Sequence, residues 1–180
     1  MSYTTIIHIY PDDRIEHGME LHNSWGGAMA IWTAMKERYL PWASYSIFMG
    51  ESAQQLWDLW KDERLPIHHR AVMMMTFDTA YVPKTRYQQA AQDIRHFLLD
   101  FPEMAGKANH WPIIAKMYKR DPDVPAIGIW HTSVSENPFD GHWNEEREEY
   151  DPPDWSELYD IYKELEKLIP VPVVAEAATG

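Results

Sequence analysis

The chain has no cysteine, which removes disulfides, thiol catalysis and thiolate metal sites together. Nowhere does an apolar run reach the roughly 18 residues that a membrane-spanning helix needs. Basic residues are scarce, with 16 Lys and Arg against 28 Asp and Glu and a formal net charge of −12. Nucleic-acid binders gain affinity when basic groups neutralise phosphates and release counterions. The acidic balance therefore argues against direct nucleic-acid binding and favours a basic protein partner, drawn in by long-range steering. The nucleotide-binding glycine patterns GxGxxG and Walker-type are missing, and Gly26-Gly27 lacks their spacing. GxSxG and HExxH are missing too, and no cofactor is expected. Met1-Ser2-Tyr3-Thr4-Thr5 shows no basic stretch leading into an apolar one, so no secretory leader and a cytoplasmic location are expected.

What is present suits a folded domain. Hydrophobic residues make up 45% of 180, and a chain of this length buries a core without a metal or disulfide staple. Nine Trp and ten Tyr supply core volume and also the residue types that anchor interfaces.

Strand and helix signals alternate along the chain. Thr4 to Tyr10 is β-branched and reads as a buried first strand ended by Pro11. Asp13 and Glu16 have capping-box spacing, and Leu21, Trp25, Ala28, Trp32, Met35 and Tyr39 make one helical face, interrupted at Gly26-Gly27. Ser44 to Met49 reads as a second strand, and Leu56, Trp57, Leu59 and Trp60 as a short helix. Ala71 to Phe77 is apolar on both faces, which suits a central strand. Thr85 and Gln88 open a helix with the stripe Tyr87, Ala91, Ile94, Leu98 and Phe101, and Asn109 caps a short helix through Tyr118. Ala126 to Trp130 is the fourth strand. Residues 132–153 form a long polar loop, and a last helix carries Leu158, Ile161, Leu165 and Leu168. The order β-α-β-α-β-α-α-β-α predicts an α/β or α+β fold, with helices packed on a sheet of about four strands. Residues 1–170 are expected to form a single domain, with 171–180 a loosely packed tail.

Nine histidines are the candidates for chemistry. His17 and His22 lie five apart, about 500° around a helix, which keeps them off one metal. His68 and His69 precede the strand expected at Ala71, where neighbours point to opposite faces. With no histidine pair at ligand spacing, no metal site is predicted.

His131 stands where a strand runs out into a loop, the place where ligand sites gather in sheets with helices packed on them. A histidine there can move a proton near neutral pH, with Ser133 as the neighbouring hydroxyl. His131-Thr132-Ser133 resembles half of the signature of two-histidine phosphoesterases, which pair two His-x-Thr/Ser motifs across a cleft. That resemblance implies a hydrolase acting through His131 and Ser133, with the second copy at His22-Asn23-Ser24 or His8-Ile9-Tyr10.

The loop then turns acidic and aromatic. Trp143, Glu145, Glu146, Glu148, Glu149, Tyr150, Asp151 and Trp155 interleave rings with carboxylates, a composition suited to docking Arg and Lys. The leading functional expectation is a non-enzymatic binding module that captures a basic protein through these residues, in the manner of phage- or plasmid-borne inhibitors and immunity proteins. The alternatives are the small hydrolase at His131 and a small-ligand module built on the Trp-rich helices.

Overall fold

β1 (Tyr3–Ile9) is the first strand in the chain and an interior strand of the sheet. In the computed structural model, which describes residues 3–12, 14–43, 51–105, 108–120, 122–131, 139, 143–150 and 155–168, β1 is flanked on both sides. The hairpin partner β2 (Ile15–His22) and the distant β4 (Ala126–Trp130) both run antiparallel to it. β3 (Ala80–Pro83) continues the sheet antiparallel to β4, and the two-residue β7 (Tyr159–Asp160) closes it parallel to β3, for the order β2-β1-β4-β3-β7. β5 (Trp143–Asn144) and β6 (Glu149–Tyr150) form a separate hairpin.

Among the described residues six helices accompany the sheet: α1 (Ala28–Tyr39), α2 (Glu51–Trp57), α3 (Ile67–Met74), α4 (Tyr87–Asp100), α5 (Trp111–Lys119) and α6 (Ile161–Lys167). The chain is thus a single α+β unit with a mixed five-stranded sheet. Alternation along the strands divides its two faces. Ile6, Val82, Ile127 and Ile129 join the main core with the helices. Ile7, Ile9 and Ala126 face the other way into a small cluster centred on fully buried Phe139. No helix among the described residues is long and apolar enough to cross a membrane.

Three elements differ from the sequence expectation. Residues 15–22 form a strand, so Glu16 opens no helix: it accepts a hydrogen bond from Tyr10 Oη and pairs with Arg14. α1 starts only at Ala28, and Leu21 belongs to β2. The glycine break has a packing cause. A Cβ at Gly26 would overlap the carbonyl oxygen of Ala108, and Gly26 O accepts the His110 N–H at 2.9 Å, so the two segments touch backbone to backbone.

The second difference is α3, where a central strand was expected. Residues 69–74 are all buried, because α3 packs against α1, α4 and α6. A helix enclosed on all sides is apolar all round, and a short apolar run carries no period to distinguish it from a buried strand. The true strand, β3, is only four residues long and ends in Pro83.

Other signals hold. Asn109 Oδ1 accepts the Trp111 N–H at the start of α5. Tyr87, Ala91, Ile94 and Phe101 are buried along α4, although α4 begins at Tyr87, after a 3-10 turn, with no side-chain cap from Thr85. The third difference is the C-terminal helix: α6 starts only at Ile161, after β7, where Asp160 caps it by accepting the N–H groups of Tyr162 and Lys163, and Leu158 precedes β7 instead of lying on the helix face. The expected strand at 44–49, the capping residue Asp13 and the tail at 171–180 lie outside the described residues.

Candidate functional site

His131 is held at the end of β4 by contacts from three directions. Its Nδ1 accepts the N–H of Ala28, the first residue of α1, at 3.1 Å. Its Nε2–H donates to the carbonyl of Met75, just past α3, at 3.3 Å. The ring stacks on Trp111 with centroids 5.8 Å apart. Burial pushes its pKa down to about 4, so the imidazole is neutral at pH 7 with both nitrogens engaged. Ser133 lies outside the described residues.

His22 stands on a strand, β2, and its ring packs on Tyr3, 4.9 Å away between centroids. His8 pairs in register with Ile127. His110 lies between β1 and β2, where its ring meets Thr4 Oγ1 and the His22 carbonyl, each at 2.9 Å.

The other polar and aromatic groups near His131 line a cavity of about 400 Å³ with Ala28, Met29, Trp32, Trp57, Thr76, Phe77 and Asp78. Trp32 and Trp57 meet edge to face at 6.4 Å. Trp32 is fixed by an Nε1–H bond to Thr76 Oγ1 at 2.8 Å, and that hydroxyl donates to Met73 O at 2.6 Å. Desolvation raises the pKa of Asp78 at the rim. Trp57 and Asp78 were not among the expected site residues; their sole sequence signal is aromatic density around 57–60 and an acid after an apolar run.

The acidic segment is a hairpin. Asn144 Oδ1 accepts the N–H groups of Glu146 and Arg147, each at 3.1 Å, which folds the connection from β5 to β6 back on itself. Glu148 takes a φ of 52° to complete the turn. Glu145, Glu146, Glu148 and Glu149 are all exposed, and so is Trp143, at 47%. Arg147 pairs with Glu149 at 3.3 Å. Of the remaining expected docking residues, Asp151 lies outside the described residues, and so do the side chains of Tyr150 and Trp155.

The chain matches no family model, no curated protein and no solved structure.

His68 and His69 occupy the first turn of α3, not the lead-in to a strand. Both rings reach Asp100, the last residue of α4. Burial lowers the His69 pKa to about 4, while the His68 and His69 hydrogen bonds lower that of Asp100. Asp100, more than 30 positions away in the sequence, was not recognisable as their partner.

Proposed function

We propose that the protein is a binding module that captures a basic protein partner through the β5–β6 hairpin. The observation that carries this reading is the presentation of the acids: four glutamates are exposed on one short hairpin beside exposed Trp143. The carboxylates raise the rate of encounter with a basic surface, and the indole supplies apolar contact area that holds the docked complex. The overall charge of −12 extends the same field beyond the hairpin.

Capture from a lysate of the native host at low and high salt, followed by binding kinetics on the recovered partner, tests this. Replacing Glu145, Glu146, Glu148 and Glu149 by Gln leaves the fold intact, slows association several-fold and flattens its salt dependence. Trp143→Ala mainly raises the dissociation rate. A partner that binds both variants as it binds the unmodified chain overturns the reading.

A second reading rests on the cavity beside His131. Its size falls in the usual range for small-molecule sites. Trp32 and Trp57, whose planes meet at 67°, with Asp78 at the rim suit a small organic cation, held by the indole faces and the carboxylate. A shift of tryptophan fluorescence on titration with alkylammonium ions, lost in Trp57→Ala, supports it; no response in the unmodified chain removes it. His131 joins neither reading as a proton carrier, since both of its nitrogens are already bonded.

A further inference from the structure

We propose that His68, His69 and Asp100 form a binding site for one divalent transition-metal ion of the zinc class. The three donor atoms lie within 4.8 Å of one another. His68 Nε2 stands 2.7 Å and His69 Nε2 2.9 Å from the same carboxylate oxygen, Asp100 Oδ2. A tetrahedral ion with bonds of 2.0–2.2 Å sets its ligands about 3.3 Å apart, so small outward rotations of the rings and the carboxylate make room for it. The half-exposed Asp100 side chain, at 43%, has the freedom to make that movement.

The surroundings hold one ligand firmly and leave one side open. His69 is packed against the stacked pair Phe97 and Phe101, with ring centroids at 5.3 and 4.9 Å, and its side chain is 2% exposed. Its Nδ1 meets Tyr39 Oη at 2.6 Å. A hydroxyl both donates and accepts, so Tyr39 serves two states. Without metal, His69 Nε2–H donates to Asp100 and Tyr39 donates to Nδ1. With metal, the Nε2 lone pair binds the ion, the ring proton moves to Nδ1, and Nδ1–H donates to Tyr39. The ring stays neutral throughout, and no net proton is released from it. This is the outer partner that a metal-bound imidazole uses to fix its orientation.

Donor chemistry sets the class of ion. Two imidazoles and one carboxylate favour Zn²⁺, Co²⁺, Ni²⁺ or Fe²⁺ over Ca²⁺ and Mg²⁺, which prefer all-oxygen shells. With three protein ligands and a solvent-facing carboxylate, water fills the remaining position. Arg38 bonds the Asp100 carbonyl oxygen and lies over Phe101. Its charge works against a dication, which places the affinity below that of a closed four-ligand site.

Sequence spacing concealed this arrangement. Adjacent residues diverge on a strand, but in the first turn of α3 the two rings stand edge to face at 4.5 Å, and the end of α4 brings the carboxylate to both.

Titration of the full-length chain with Co²⁺, followed by its visible absorption, is the direct test, with displacement by Zn²⁺ and a Mg²⁺ control. One equivalent is expected to saturate the signal, and Mg²⁺ to leave it unchanged. His68→Gln and Asp100→Asn are each expected to weaken binding by at least about ten-fold, while His17→Gln on β2 leaves it intact. An absent or unsaturable signal overturns the proposal, and so does a saturable one that survives both His68→Gln and Asp100→Asn. If either variant loses its native near-ultraviolet circular dichroism, Co²⁺ broadening of imidazole resonances in the unmodified chain decides. Broadening centred on His68 and His69, reaching His96 whose ring lies 5.6 Å from that of His68, supports the site, and broadening centred on histidines elsewhere overturns it.

Discussion

The Nδ1 atom of His131 accepts the Ala28 N–H across 103 positions of sequence. One neutral imidazole thereby ties the end of β4 to the first turn of α1, and through its second nitrogen to the end of α3. The side chain that reads as a catalytic candidate works as a three-way joint.

Acid should loosen that joint. His131 titrates near 4 in the folded protein and near about 6.5 when unfolded, so between these values the unfolded chain binds a proton that the native state refuses. The contribution is whole above pH of about 6.5, is lost as the pH falls through the window, and reaches about 3 kcal/mol by pH 4. His69, also held near 4, adds to the loss over the same range. Asp78 and Asp93 have raised pKa values and act in the opposite sense. The readout is therefore the difference between the unmodified chain and His131→Gln in urea unfolding at pH 7, 6, 5 and 4. The difference should shrink towards pH 4; a constant one refutes the account.

Gly128 is expected to tolerate no side chain. Its added Cβ would stand 2.5 Å from Phe139 Cζ and 2.7 Å from Cε1, and Phe139 is fully buried on the thinly covered face of the sheet. Gly128→Ala should cost about 1–3 kcal/mol by overpacking. Gly128→Ala with Phe139→Leu should recover part of the loss, which chemical denaturation of the single and double variants will measure. Additive losses would show that the ring is not what the methyl meets.

Thr79 carries a removable strain. It is β-branched with a φ of 65°, a conformation that costs roughly 1–2 kcal/mol for such a residue, and its carbonyl accepts the Tyr159 N–H that brings in β7. Thr79→Gly should raise the melting temperature despite the added freedom of the unfolded chain, and Thr79→Val should not. A lower melting temperature for the glycine variant would show that the hydroxyl or methyl makes a contact worth more than the strain.

The sequence was most legible where one periodicity dominated. β4 emerged with its bounds intact because Ala126 to Trp130 is bracketed by Pro125 and a polar loop, and α4 because its stripe runs for four turns. It misled where burial removed the pattern. α3 reads as a strand because every side is covered, and β2 reads as a helix because Leu21 happens to extend the spacing of α1. The candidate sites divide in the same way. The hairpin glutamates are neighbours in sequence, so their grouping was visible. The His68–His69–Asp100 cluster depends on how the end of α4 meets the start of α3, a long-range packing relation that local composition does not encode.

The position of β1 also governs the order of events during synthesis. Its first partner, β2, follows within a few residues, but its second, β4, pairs Thr5 with Trp130 and leaves the ribosome only after α1 to α5. At roughly 5–20 residues per second, the early hairpin waits several seconds with the other edge of β1 unsatisfied. Closing so long a loop is also entropically costly, which slows the final pairing. The emerging chain therefore spends its most vulnerable interval with an apolar strand edge open to other chains.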